Sequence, residues 1–372
     1  MEISIKSHNI LNKIDIGIYV GYSDAFNGYN YNNKNVYGSE LNIINLSESL
    51  HRNGYIVCVF VWNLQQLDEE IYTNGVYYLD ARMLLNINIP IDIMIINRYV
   101  HYFEYFPHVK SRKTIVWVQD CKINYFKDDK MLSPDRGITY CNNNFNKIND
   151  VVCLSKWHEQ YLRSCNVDNN FYDFTKCSLS VIGNAKNNDS VDCKIKKNSF
   201  IFVSHPNRGL NILAKCLKLI QQQIPDCSLI AFRKNDMDDE TLNNLSLLNN
   251  VTLYDKVPNS EIKKYMLRSD IFLYPTTFEE TYCNSALEAQ LYNAVCIYTD
   301  VGSLSTTISD RGLKLEKLVG DDNFMECAVK QTVELLRNID QKELYRKKGY
   351  DWAKYQNWNN IIQEWIKLIS IE

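Results

Sequence analysis

This 372-residue chain lacks several things, and each absence removes a class of protein. No apolar run approaches the ~18 residues of a membrane-spanning helix. The polar start Met1-Glu-Ile-Ser-Ile-Lys6 does not read as a signal peptide, so an intracellular, cytoplasmic place is expected. The formal net charge is only −3, which leaves no electrostatic argument for a nucleic-acid partner. Twelve cysteines include no Cys-x-x-Cys pair. Cys58, Cys153 and Cys296 fall inside apolar runs, which suits buried free thiols in a reducing compartment rather than disulfides or a metal. Cys141, Cys153, Cys165 and Cys177 are evenly spaced, but no repeat lies between them. No Gly-x-Gly-x-x-Gly follows the first strand, which counts against a nicotinamide dehydrogenase, and no Walker loop occurs.

What remains is a globular composition, 45% hydrophobic and 23% charged, on a chain long enough for two cores. Apolar runs alternate with amphipathic stretches. Strands are expected at 15–20, 55–61, 92–96, 113–118 and 150–154, with a helix opening at Gly38-Ser-Glu40. After the polar stretch 186–199 the alternation resumes: strand 200–203, helix 210–223, strands 227–232 and 251–254, helix 260–267. Alternation of this kind predicts doubly wound parallel sheets, an α/β class. Two Rossmann-like domains in series are expected, residues 1–182 and 183–348. Residues 349–372 follow as a terminal segment whose aromatics at helical spacing, Trp352 to Ile369, predict one helix.

The most informative stretch is residues 278–303, "FEETYCNSALEAQLYNAVCIYTDVGS", in which Glu280 and Glu288 stand eight apart across a loop-to-helix junction. The run Ile271-Phe-Leu-Tyr-Pro275 predicts a buried strand stopping at its proline, and Asn284 or Ser285 is the expected helix N-cap. Free backbone N–H groups and the helix dipole at such a junction favour an anion such as a diphosphate. Glu288, in the first turns, could accept from a ribose, and Glu280 from an attached sugar. Taken singly, Glu288 reads more readily as a complement to the helix N-terminus and Glu280 as a solvated loop acid.

The segment resembles the Glu-x7-Glu signature of retaining glycosyltransferases of the GT-B fold, especially glycosyltransferase family 4. There the loop runs Pro-Ser-x-x-Glu-x-Phe-Gly, followed by Glu-Ala-Met-Ala-x-Gly-x-Pro-Val. Here it runs Pro275-Thr-Thr-Phe-Glu-Glu280-Thr-Tyr-Cys283, then Glu288-Ala-Gln-Leu-Tyr-Asn-Ala-Val295. Leu287 rules out Glu279 as the first acid. Cys283 replaces the usual glycine, and Ala294-Val295 the usual small residue and proline. Tyr37-Gly38-Ser39-Glu40 resembles the first-domain glycine loop. Ser204-His-Pro-Asn-Arg208-Gly209 resembles the loop that sets Arg and Lys against the diphosphate, with His205 near the usual arginine, so one permanent cation is missing. Val181-Ile-Gly-Asn184 resembles the interdomain Ile-Pro-Asn-Gly. Trp117-Val-Gln119-Asp120 resembles a strand end that usually reads His-Asp; glutamine can hold a hydroxyl but cannot act as a base.

The resemblance implies a GT-B architecture, two Rossmann-like domains facing a cleft, the first on the acceptor side and the second on the donor side, with the terminal helix crossing back. It implies transfer of a sugar from a UDP- or GDP-linked donor to a carbohydrate or glycolipid acceptor with retention. Glu280 and Arg208 would be catalytic. Gly38, Ser39, Arg208, Val257, Thr281, Tyr282, Cys283, Asn284 and Glu288 would bind the donor, and Gln119 and Asp120 would face the acceptor. No metal or other cofactor is expected, because Arg208 and the helix dipole carry the neutralising charge. Asp236-Met-Asp238 mimics a metal-binding Asp-x-Asp, but continues as Asp239-Glu240 before a helix, where N-terminal acidity explains it better. Lys110-Ser-Arg-Lys113 offers charges to an anionic membrane, although such a cluster more often leads a solvated loop into a strand. A sugar-nucleotide epimerase of the same fold and an inactive sugar-nucleotide-binding protein remain as alternatives.

Overall fold

The computed structural model describes residues 13–370 apart from 22, 24, 29–37, 63, 65–71, 124–125, 128–129, 132–133, 168 and 188–192. Tyr37 and the middle of the polar 186–199 stretch therefore lie outside the described residues. Eight strands make the first sheet: β1 (Ile14–Gly21), β2 (Val57–Val61), β3 (Tyr72–Thr73), β4 (Val76–Asp80), β5 (Ile91–Asn97), β6 (Ser111–Trp117), β7 (Asp150–Cys153) and β8 (Ser178–Val181). Their spatial order is β8-β7-β6-β5-β1-β2-β4-β3, all pairs parallel except the edge hairpin β3–β4. The second sheet has six strands: β9 (Lys196–Phe202), β10 (Ser228–Ala231), β11 (Val251–Leu253), β12 (Ser269–Tyr274), β13 (Val295–Tyr298) and β14 (Leu313–Lys314). They run in the order β11-β10-β9-β12-β13-β14, all parallel.

Continuous apolar runs explain these sheets. Every residue of β2, β12 and β13 is buried, as strands covered by helices on both faces require. The covering helices include α1 (Gly38–Arg52), α2 (Lys156–Ser164), α3 (Leu210–Gln223), α4 (Asp239–Ser246), α5 (Asn259–Met266), α6 (Asn284–Leu291), α7 (Phe324–Arg337), α8 (Ile339–Ala353) and α9 (Trp358–Ser370). Strand order reverses between β1 and β5 in the first sheet, and between β9 and β12 in the second. Crevices at the carboxyl ends of such switch points are where α/β sheets take ligands.

Two expectations need correcting. β9 begins at Lys196, four residues before the apolar run, because Asp270 reaches across to accept from the Asn198 backbone N–H at 2.9 Å. The expected single helix over 352–369 is broken: α8 ends at Ala353 and α9 starts at Trp358. Asn357 makes the break, donating to the Lys354 carbonyl at 2.8 Å and accepting from the Asn360 N–H at 3.1 Å. The Gln356 carbonyl, freed there, accepts from Lys186 N at 2.8 Å, so the two chain crossings between the sheets are bonded to each other.

α9 packs on the first sheet. Trp365 meets Trp117 edge-on at 5.1 Å, and the buried Lys113 ammonium donates to the Leu368 carbonyl at 2.7 Å while pairing with Asp150 at 2.9 Å. Lys113, part of the basic cluster weighed for membrane contact, is thus spent on an internal bond. No described helix is long and apolar enough to cross a membrane.

Two buried histidines make the first domain sensitive to acid. His158 accepts from Leu154 N through Nδ1, and His101 Nε2 bonds the Tyr19 hydroxyl at 2.7 Å. Burial pushes both rings down to about 4. The unfolded rings titrate near 6.5, so the unfolded chain binds more protons between those values. Stability is therefore complete above about pH 6.5 and lost as pH falls toward 4, by up to about 3 kcal/mol per ring. The urea midpoint is expected to drop across that window, and His158→Gln to flatten the drop; a midpoint that ignores pH between 6.5 and 4.5 contradicts this.

Candidate functional site

α6 starts at the carboxyl-end crevice of the second sheet. Its N-cap is Cys283, in the left-handed region at φ 67°, with no side-chain cap bond, and not Asn284 or Ser285 as expected. Both of those side chains point elsewhere. Asn284 Oδ1 accepts from Asn184 Nδ2 at 2.9 Å, and Ser285 Oγ accepts from Ser204 Oγ at 3.3 Å. The left-handed backbone at 283 explains why glycine is usual there in the family resembled; cysteine takes the same shape at a cost of about 1–2 kcal/mol.

Between the domains lies a cavity of about 200 Å³, into which Gly38 at the start of α1 and Asn284 at the start of α6 both look. A Cβ at Gly38 would lie 2.8 Å from Asn284 Nδ2, so a side chain there would have to push the Asn284 amide aside. Val257 and Glu288 also line the cavity, as does Lys186 from the interdomain crossing. Lys186 Nζ pairs with Glu288 Oε1 at 2.6 Å. Arg233, Lys256 and Lys263 join Lys186 on the wall, so four cations and one carboxylate share it. Such a wall suits an anion.

Glu280 is nearly buried at the switch point between β9 and β12. Tyr274 Oη donates to its Oε1 at 2.6 Å, and Arg208 Nη1 donates to the same oxygen at 3.1 Å. Burial first, and then the charge of Glu280, push the Tyr274 hydroxyl well above its ordinary value, so it stays a donor. Arg208 stacks on Phe278 with its guanidinium carbon 3.9 Å from the ring centre. Two glycines hold this loop. A Cβ at Gly209 (φ 114°) would lie 2.5 Å from the Pro275 carbonyl oxygen, and one at Gly302 (φ 63°) would lie 2.5 Å from both Glu280 N and O. His205 does not replace the missing arginine: its ring caps the turn 206–208 and bonds Asn207 at 2.7 Å.

On the first domain, the Gln119 carbonyl accepts from Thr281 Oγ1 at 2.8 Å and Cys121 Sγ donates to the Glu279 carbonyl at 3.2 Å, so the loop 278–283 is bonded to the loop that follows β6. Asp120 is gripped in bidentate fashion by Arg98, at 2.9 and 2.7 Å. Arg98 lies directly after β5 at the first switch point, at φ 67°, and also donates to Ser39 Oγ at 3.4 Å; Ser39 in turn donates to Glu40 at 2.7 Å. Gln119 is buried, and its Nε2 has no partner among the described residues.

Of the residues anticipated from sequence, Gly38, Val257, Asn284 and Glu288 share the cavity wall. Ser39, Gln119, Asp120, Arg208, Glu280, Thr281, Tyr282 and Cys283 stand outside that wall, the loop 278–283 bridging to the first domain. Tyr282 packs its ring on Gly183, where a Cβ would lie 2.8 Å away, so only its backbone is left to a ligand. Sequence reasoning missed Arg98, Lys186, Arg233 and Tyr274. Arg98 had a signal, standing at the end of an apolar strand; Lys186 had none, because its partner Glu288 is brought near only by the fold.

Asp236 and Asp238 point apart in function. Asp238 caps α4 by accepting from Thr241 N at 2.7 Å, and Asp236 pairs with Arg233 at 2.6 Å and Lys256 at 3.8 Å. Among the described residues no group of three or more His, Cys, Asp or Glu is arranged to hold a metal.

Residues 197–338 match the family model described as Glycosyl transferases group 1. Sucrose-phosphate synthase from Thermosynechococcus elongatus superposes with a TM-score of 0.73 at 13% identity, over 96% of this chain and 98% of that one. A glycosyltransferase from Rickettsia africae ESF-5 gives 0.67 at 15%, over 96% and 98%. Anabaena HepE, solved in complex with UDP-glucose, gives 0.64 at 13%, over 95% and 99%. No curated protein matches the chain. The fold is GT-B along nearly its full length.

Gly302→Ala tests the packing around Glu280. The added methyl meets backbone on both sides in a strained conformation, so stability is expected to fall by roughly 1–3 kcal/mol. An unfolding midpoint equal to wild type in urea would show that Glu280 is not held from this side.

Proposed function

We propose that the protein is a retaining glycosyltransferase that moves a sugar from a nucleotide-diphosphate donor, UDP- or GDP-linked, to a carbohydrate or glycolipid acceptor. One observation carries this reading: α6 begins at the switch-point crevice and sets Asn284 and Glu288 on the wall of an interdomain cavity that four cations also line. The match of residues 197–338 to group 1 glycosyl transferases supports it, as does the shared fold with HepE, which was solved with UDP-glucose.

On this reading the ribose hydroxyls donate to Glu288, and the diphosphate rests on the N-terminus of α6. Glu280 orients the transferred sugar. Tyr274 and Arg208 both occupy its Oε1, which leaves Oε2 to accept from a sugar hydroxyl and blunts the carboxylate as a nucleophile. The bond from C1 to the diphosphate oxygen breaks with its electron pair going to the leaving diphosphate. The acceptor oxygen bonds C1 from the same face, and its proton passes to that leaving oxygen. Arg208, one hydrogen bond from Glu280, stabilises the charge growing there. A divalent ion is not required when the neutralising charges are covalently fixed.

Incubation with radiolabelled UDP- and GDP-sugars and a panel of glycan and glycolipid acceptors is expected to yield a glycoside with the donor's anomeric configuration, undiminished by EDTA. Inverted product, an isomerised donor or binding without turnover overturns the reading; loss with EDTA and rescue by manganese overturns its metal-free form. Arg208→Ala is expected to lower turnover at saturating donor roughly 10²-fold while changing donor affinity much less. Equal turnover removes Arg208 from the reaction.

A further inference from the structure

We propose that Lys186 is a diphosphate-binding residue: it leaves Glu288 when the donor enters and supplies the cation that His205 does not. The inference rests on the donor site described above and adds to it a residue from the interdomain crossing.

Its placement is fixed by the backbone. Lys186 N donates to the Gln356 carbonyl at 2.8 Å, and the two preceding residues, Asn184 and Ala185, are buried. The side chain then runs into the cavity and pairs with Glu288 at 2.6 Å, the two side chains 24% and 22% exposed. Glu288 lies four residues into α6, so the ammonium stands within about one turn of the helix's positive end. A cation is disfavoured there by the dipole, and the Glu288 carboxylate is what holds it. That carboxylate is also the group a ribose would use.

The exchange follows from these charges. Ribose hydroxyls donating to Glu288 satisfy its oxygens without the lysine, and the arriving diphosphate offers more negative charge than one carboxylate. A flexible four-carbon stem lets the ammonium move over several ångströms while the backbone stays fixed. The other cations near the site are committed differently. Arg208 is bonded to Glu280 and stacked on Phe278, while Arg233 and Lys256 both face Asp236. Lys186 is the cation on the cavity wall that is paired with Glu288, the candidate ribose acceptor.

The competing view is a static ion pair that ties the crossing segment to α6. Titration calorimetry on the full chain separates the two, using UDP, GDP and ADP beside uridine, guanosine and adenosine. For each diphosphate that binds wild type, Lys186→Ala is expected to weaken binding at least about tenfold, a charged hydrogen bond's worth. Its nucleoside should bind as well as before or tighter, because Glu288 is released. Lys186→Arg is expected to recover most of the loss, which also guards against a folding defect in the alanine variant, as does an unchanged thermal unfolding midpoint. Equal loss for diphosphate and nucleoside, or no loss for either, overturns the proposal while leaving the donor reading standing. Wild type that binds none of the three diphosphates removes the donor reading itself, and this inference with it.

Discussion

Asn284 is the contact on which the site depends. It begins α6, lies against Gly38 at the beginning of α1 and accepts from Asn184 on the interdomain crossing. Three segments from three parts of the chain thus meet at one short amide side chain. Because that side chain's oxygen is spent on the interdomain crossing, it cannot cap its own helix, and the cap falls to a backbone turn at Cys283. Leaving a helix start without a side-chain cap keeps its N–H groups available, and available N–H groups are what an anion needs. The local cost at Cys283 and the binding capacity of the helix end have the same origin.

The rest of the interdomain geometry reinforces this contact. α9 is anchored to the first sheet by Trp365 on Trp117 and by Lys113 on the Leu368 carbonyl, although it follows the second sheet in sequence. The crossing at Lys186 and the break at Gln356 are bonded together, so both connections between domains move as one strap. Two further bonds, Thr281 to the Gln119 carbonyl and Cys121 to the Glu279 carbonyl, join the loop carrying Glu280 to the end of β6. A loop tied on both sides holds a carboxylate more firmly than either domain could alone.

Much of this was readable from residues and much was not. The apolar runs located ten of the strands to within a few residues, because strands buried on both faces must be continuously apolar, while β3, β4, β8 and β14 went unread. The helix over 210–223 was read to its ends, since Gly209 starts it and polar glutamines finish it. The break between α8 and α9 was not readable, because the aromatics of 352–369 keep helical spacing through it and the deciding bonds are those of Asn357. At the candidate site, Glu280 and Glu288 stood out through their resemblance to a family signature rather than through spacing alone. Their partners did not. Tyr274 looks like one more apolar strand residue, Lys186 sits in a polar run, and nothing along the chain says that either will face a glutamate.

The first-domain side of the cleft bears on how the proposed reaction handles its proton. Asp120 would be the natural base beside the acceptor, but both its oxygens are taken by Arg98, which itself is locked at the β1–β5 switch point in a left-handed backbone. Gln119 cannot take a proton at all, and its unpartnered Nε2 is a donor, suited to a hydroxyl or ring oxygen of the acceptor. Glu280 keeps Oε2 for a hydroxyl of the transferred sugar on the proposed reading. None of these three groups is then left to take the acceptor's proton, which on that reading passes to the departing diphosphate. Attack from the face on which that group leaves would bring the two together, as the retention proposed above requires.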